Sequence, residues 1–165
     1  MSSQANELAA RLKRFATRIV IFARSMPPDP AAQVIAQQLT KSGTSEAANY
    51  HSARRARSRA EFIAKLGIAA EEADETEHWL EIIADTHMRS TTKAVRELDW
   101  LLDESRQLRA ILVASVRTAR TNHQGRSGRA RVARSDPSGR SDPSDRSDPS
   151  DRSDPSDPSD PKINP

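Results

Sequence analysis

The sequence contains no cysteine. Disulfides, thiolate metal sites and cysteine nucleophiles are thereby excluded, and a reducing compartment is compatible with the chain. Aromatic residues are scarce: three Phe, two Trp and one Tyr among 165 residues. Long hydrophobic runs are missing as well. The longest near the N-terminus is Ile19-Val20-Ile21-Phe22-Ala23, held between Arg18 and Arg24. A membrane-spanning helix needs about 20 apolar residues, so this run cannot cross a bilayer. Nothing resembles a signal peptide with its cleavage site, and a cytoplasmic location is expected. The arginine-rich start has a loose likeness to a transit peptide, but its apolar spacing fits a core helix better. There is no glycine-rich phosphate loop, no Gly-x-Ser-x-Gly and no identifiable acid pair. Glu75-Thr76-Glu77-His78 holds a single Glu-x-x-His, whereas a di-iron bundle needs two copies plus two further inward glutamates. The expectation is a protein that is not an enzyme and has no metal, cofactor or small-molecule substrate.

What is present is charge, unevenly placed. The net formal charge is +3. Residues 1–116 carry 16 Lys/Arg and 15 Asp/Glu, residues 117–134 carry six arginines and no acid, and residues 135–165 carry four basic residues and eight aspartates. A near-neutral body is followed by a basic strap and an acidic tail. A basic cluster of this kind attracts polyanions or acidic protein surfaces.

Four stretches have helical periodicity. In the first, Leu8, Leu12, Phe15, Ile19 and Phe22 recur at spacings of four and three, which places one apolar stripe on a helix. That helix must stop near Ser25, because Pro27-Pro28-Asp29-Pro30 follows. Asp29 then reads as an N-cap with Pro30 at the first helical position, opening a second helix to about Arg54. Val34, Ile35 and Leu39 are its expected apolar face. Ser42-Gly43-Thr44-Ser45 interrupts with poor helix formers, marking either a kink or a close approach of another helix.

The third helix opens on Ser58-Arg59-Ala60-Glu61, a capping box in which serine serves the N3 amide and glutamate reaches back to the cap. Phe62, Leu66, Ala69, Ala73, Thr76, Leu80 and Ile83 follow in a strict heptad. Glu61 and Lys65 form an i,i+4 pair. The fourth helix starts near Ser90 to Thr92. Ala94, Leu98, Leu101, Ser105, Leu108, Leu112 and Ser115 keep the same rhythm, widened by Trp100, Leu102 and Ile111, and Gly125 is a plausible stop. Short loops and the absence of strand patterns predict an all-α, antiparallel up-down-up-down four-helix bundle with left-handed packing over residues 1–124. Val20, Ile21, Ile68, Trp79 and Ile82 lie outside the strict heptads and hint at oligomerisation. Residues 125–165 read as a basic strap and a disordered tail of Ser-Asp-Pro repeats, in which frequent proline forbids a regular helix and little is apolar.

The segment ending "TSEAANYHSARRARSRAEFIAKLGIAAEEADETEHWLEII" carries a resemblance. The Ser-x-x-x-Asn of the second helix, the "RSRAEFIAKL" opening of the third and its "EADETxxWLE" close are together similar to the four-helix bundle proteins encoded in intervening sequences of bacterial 23S ribosomal RNA genes. The accessory protein of diversity-generating retroelements is in the same family. The resemblance covers about residues 5–120. It implies an antiparallel bundle assembled as a ring, commonly a homopentamer, with an RNA or reverse-transcriptase partner in the retroelement member. No enzymatic activity is established for the intervening-sequence members. The family's Asn-x-x-Glu reads Asn49-Tyr50-His51-Ser52 here, so the glutamate is missing, and the Ser-Asp-Pro tail lies outside the pattern.

Two arginine clusters are the candidate contact residues. Arg54, Arg55, Arg57 and Arg59 sit where the second helix gives way to the third. Cations suit a helix C-terminus and not the N-terminus that follows, so they call for an anion or acid. Glu71, Glu72, Asp74, Glu75 and Glu77 lie too far along the same helix to answer them. These acids are left to pair with a neighbouring copy's arginines, as in a head-to-tail ring, or with another helix of the same chain. A solvated charged face and a nucleic-acid contact are the other readings. Arg117 and Arg120 are one turn apart, and Arg126, Arg129, Arg131 and Arg134 continue the strap. Six such arginines can displace counterions from a polyanion, but no aromatic residues interleave for base stacking. The functional expectation is a noncatalytic oligomeric bundle that binds RNA or an RNA–protein partner through Arg54, Arg55, Arg57, Arg59, Arg117, Arg120, Arg126 and Arg129. The alternative is a structural or protein-interaction ring with no nucleic-acid role.

Overall fold

The computed structural model describes residues 3–88 and 91–134, with side chains as far as His123. It consists of four helices: α1 (Ser3–Arg24), α2 (Pro30–Ala53), α3 (Arg59–Asp85) and α4 (Thr92–Arg134). No strand occurs among the described residues. Each helix packs on its sequence neighbour and α4 returns to α1, in the up-down-up-down order predicted. The Ser-Asp-Pro segment, 135–165, lies outside the described residues.

The punctuation follows the local chemistry. After α1, the Ser25 amide and hydroxyl both donate to the Phe22 carbonyl, and the prolines then bar continuation. Asp29 caps α2, its Oδ1 accepting from the amides of Ala31 and Ala32 at 3.1 Å each. Ser58 caps α3 by accepting from the Glu61 amide at 3.1 Å. Glu61 reaches back one residue further than expected, to the Arg57 amide at 2.9 Å, and its carboxylate pairs with Arg57 rather than Lys65. Thr91 caps α4 through the Ala94 amide. At the end of α3, His87 takes a φ of 53°, the left-handed conformation that usually calls for glycine.

Three expectations are corrected. Val34 is 57% exposed, so it is not on the buried face of α2. That face is Ala32, Ala36, Leu39, Gly43, Glu46, Tyr50 and Ala53, a full heptad stripe whose small and acidic members hide it from a hydrophobicity reading. Second, the stripe of α4 passes after Leu112 to Val116 and Ala119, and Ser115 rotates outward. An unsupercoiled helix drifts about 20° per heptad, enough to hand the seam to the next residue. Third, α4 does not stop at Gly125 but runs to Arg134. Glycine costs about 1 kcal/mol in a helix, whereas proline costs about 3, and the first proline after α4 begins is Pro137.

The small-residue patch of α2 is a close approach and not an interruption. The helix is continuous, and a Cβ built on Gly43 would lie 3.0 Å from Ile19 Cγ2. Ser42 is fully buried there and donates to its own helix, at Gln38 and Leu39 carbonyls. The rest of the core is Leu12, Phe15, Ile19 and Phe22 from α1, Leu66, Ala69, Ala73, Leu80 and Ile83 from α3, and Leu98, Leu101, Leu108 and Leu112 from α4.

The α1–α4 seam is the sparsest of the four. Long side chains span it. Arg11 donates to both carboxylate oxygens of Glu104, at 2.6 and 2.8 Å, and to Gln107. Arg18 does the same to Glu97, at 2.7 and 2.6 Å, with its guanidinium 3.5 Å above the Trp100 ring. These pairs hold both arginines above their ordinary pKa, chiefly through the hydrogen bonds to Glu104 and Glu97.

Candidate nucleic-acid interface

One end of the bundle gathers the start of α1, the α2–α3 turn and the α4 stretch around Ala119. Arg54, at the C-terminal cap of α2, donates through Nη2 to the Asn6 side chain of α1. Arg59, the first residue of α3, donates through Nη2 to the Ala119 carbonyl of α4 at 3.2 Å, with its guanidinium 5.8 Å from the Phe62 ring centre. Ala119 lies between Arg117 and Arg120. The fold therefore brings together two arginine clusters about 60 residues apart in sequence, as the Arg59–Ala119 separation shows.

Their roles divide. Arg54 and Arg59 tie helices to one another, a packing role the sequence reading did not assign. Arg55, Arg57, Arg117 and Arg120 are exposed. Arg57 meets Glu61 at 3.7 Å while its side chain stays 92% exposed, so solvent screens that pair. Glu61 in turn lies below the usual carboxylate range, first because it accepts from the Arg57 amide. Arg117 and Arg120 border a surface cavity of about 510 Å³ between α3 and α4, with Gly67, Ala70, Glu71, Asp74 and Val113 on its walls. The side chains of Arg126, Arg129, Arg131 and Arg134 lie outside the described residues, although the α4 backbone carries them.

The acidic flank of α3 finds its cations within the chain. Glu77 accepts from Arg109 Nε at 2.5 Å and from Arg106 Nε at 3.3 Å. Arg106 also reaches Glu81 at 3.2 Å, and Arg109 meets Asp74 at 3.5 Å. Glu75 accepts from the Trp79 indole. Of the two pairings expected for these acids, a neighbouring copy or another helix, Asp74 and Glu77 show the second, on α4. Glu72 lies above the usual carboxylate range, first through burial and then through Glu75.

The most unusual carboxyl was not singled out from the sequence. Glu46 is 1% exposed, on the buried stripe of α2, and neither carboxylate oxygen has a hydrogen-bond partner. Burial, and secondarily the charge of Glu104, push it up from 4.5 to about 8. Its heptad register with Leu39, Gly43 and Tyr50 was the available signal. Elsewhere, His51, His78, His87 and His123 are exposed. Among the described residues no three His, Asp or Glu side chains are placed to hold a metal ion. No described helix is long and apolar enough to cross a membrane.

A family profile described as 23S rRNA-intervening sequence protein matches residues 4–113, the bundle as far as α4's last fully buried leucine. This chain belongs to the 23S rRNA-intervening sequence protein family. A solved structure described as a protein with unknown function from the S23 ribosomal protein family of Bacteroides thetaiotaomicron VPI-5482 is similar to it. The two are 33% identical with a TM-score of 0.60, over 68% of this chain and 97% of that one. No curated protein matches. Within the intervening-sequence family match fall Arg54, Arg55, Arg57 and Arg59, whereas Arg117, Arg120, Arg126 and Arg129 lie beyond its last residue.

Proposed function

We propose that this member of the family is a noncatalytic helical bundle, working as an oligomer, that binds RNA or an RNA–protein partner at its arginine-rich end. One observation supports the reading: Arg59 of the first cluster bonds to the carbonyl of Ala119, which lies between Arg117 and Arg120 of the second, so the two clusters share one end of the bundle. Each arginine set on a phosphate releases about one counterion, so binding would weaken steeply with salt. The basic end is poor in aromatics: Phe62 lies under Arg59 and Tyr50 is buried. Contact with phosphates, without stacking on bases, is the chemistry that fits.

The test is RNA retention across a salt series for the parent and for a variant with Arg55, Arg57, Arg117 and Arg120 replaced by alanine. These four are chosen because Arg54 and Arg59 bond to other helices. Binding to RNA should fall, and the logarithmic salt slope should shrink by about 0.7–0.9 per lost contact. Equal binding by both proteins would remove these residues from the account. The second reading, a protein-interaction ring with no RNA role, is favoured by Ile68 and Val113, 42% and 43% exposed, which line two adjoining cavities that share Gly67, Glu71 and Arg120. It requires a discrete oligomer, a pentamer by family resemblance, with no salt-sensitive RNA shift. Light scattering alongside the retention assay separates the two.

A further inference from the structure

Arg11, Arg18, Arg106 and Arg109 each meet a carboxylate on a facing helix. The arginine-rich end differs. Among the described residues Arg55, Arg117 and Arg120 pair with no carboxylate, although Glu71 and Asp74 line the same cavity as the last two. Arg57 meets only Glu61, one turn away and in solvent. Cations gathered at one end without acids to answer them raise the local potential and attract anions. Acids of the right number lie further along the same chain. From Asp142 to Asp160 an aspartate recurs at every third residue, seven in all. Arg146 and Arg152 stand at positions of the triplet otherwise held by proline, and residues 153–161 carry three aspartates and no Lys or Arg. Arg117, Arg120 and these acids all lie beyond residue 113, the last of the family match.

We propose that the aspartate repeats, 142–160, dock on the arginine-rich end of their own chain and mask it from polyanions; the masking rests on the RNA reading above, whereas the docking does not. Length permits it. The α4 backbone continues to Arg134, so Arg117 lies about 26 Å back along the helix axis. The 19 residues from Arg134 to Ser153 span about 60 Å when extended at about 3.1 Å each. The stretch without basic residues therefore reaches back past Arg117 with chain to spare. Charge selects the occupant. Bound as a polyproline helix, with three residues per turn, the repeats would present every aspartate on one edge and Arg146 and Arg152 on another. Tethering then supplies an effective concentration on the order of millimolar. Exposed Asp–Arg pairs are individually weak, so a polyanion of denser charge displaces the repeats instead of being shut out. They set a threshold: loosely held polyanions are turned away and tightly held ones pass.

The absence of cysteine allows a spin label at one chosen place in the full chain, through Ser156→Cys. At low salt the label should broaden the amide NMR signals of Arg55, Arg57, Arg117 and Arg120 and spare Ser25, just past the other end of α1. Added salt should restore those signals. Asp→Asn at all seven positions from Asp142 to Asp160 should abolish the broadening, and so should Arg→Ala at the four arginines. Poly(U) RNA is the probe of masking: the Asp→Asn protein should bind it about fivefold more tightly than the parent at low salt, with no gain in the Arg→Ala background. A parent without broadening would overturn the docking. Equal broadening between separate spin-labelled and isotope-labelled chains would assign the site to a neighbouring copy's repeats and overturn it too. Equal poly(U) affinity of the parent and the Asp→Asn protein would overturn the masking. Broadening without poly(U) binding by either protein would sink the RNA reading, and masking with it, while establishing the docking.

Discussion

The two faces of α4 are held by ion pairs of opposite sense. Toward α1, α4 supplies the acids, Glu97 and Glu104, and receives Arg18 and Arg11. Toward α3 it supplies the arginines, Arg106 and Arg109, and receives Glu77, Glu81 and Asp74. The α3 side is also closely packed, so its ion pairs lie along an interface that leucines and alanines already close. The α1 side is sparse, and there the paired side chains bridge the gap. An exposed ion pair adds little to an interface that apolar contacts already define. One that spans an open seam decides whether the seam is closed.

The largest break in that comparison should come from the apolar part of the weak seam. Phe15 is fully buried and its ring faces Trp100 at 6.5 Å. Phe15→Ala should cost about 3–5 kcal/mol in denaturant unfolding. A loss below about 1 kcal/mol would mean that the seam does not rest on this ring. The second effect is in pH. Glu46 has a folded-state value above its unfolded one, so the folded state binds more protons between 4.5 and about 8. Its contribution therefore holds below that window and is lost as pH rises through it, by up to about 1.4 kcal/mol per pH unit. Glu46→Gln should flatten this slope in thermal melts, and an unchanged slope would locate the titration elsewhere.

Smaller effects sharpen the contrast between the faces. Glu77→Gln leaves Arg106 and Arg109 without their shared carboxylate, whose side chain is 11% exposed, and should cost about 1–2 kcal/mol. Glu104→Gln should cost less, because losing Arg11's partner is offset by removing the charge that opposes Glu46. Equal losses measured by urea unfolding would contradict the coupling of Glu104 to Glu46. The smallest change is expected for Arg57→Ala, below about 0.5 kcal/mol, since its pair with Glu61 is solvent-exposed. That variant would separate binding from stability, with RNA retention falling while the melting temperature holds.

The helix punctuation was legible in local chemistry: two prolines after Met26, Asp29 before Pro30, and Ser58 three residues ahead of Glu61. The heptads of α3 and most of α4 were legible too, because leucine marks them. The face of α2 was not. Its buried stripe includes glycine and an acid, while its exposed side carries Val34, so a count of apolar residues points to the wrong arc. The arginine clusters could be named from the chain, but their meeting depends on α4 running antiparallel to α3, which brings Ala119 to Arg59. The cross-helix pairs were legible in principle, since Arg11 and Arg18 share with Glu97 and Glu104 a separation of seven residues.

That shared separation limits how the gene can change length. Arg11 meets Glu104 and Arg18 meets Glu97, so the two helices are matched like the teeth of two racks run in opposite directions. Each inserted or deleted residue turns a helix by about 100°. A single-codon indel between positions 97 and 104 would keep one tooth engaged and swing the other away, and a change of seven would restore its direction but carry it about 10.5 Å along the axis, past its partner. The turn between α3 and α4 carries no such constraint. Length variation among relatives should therefore gather there and be rare within the toothed segment.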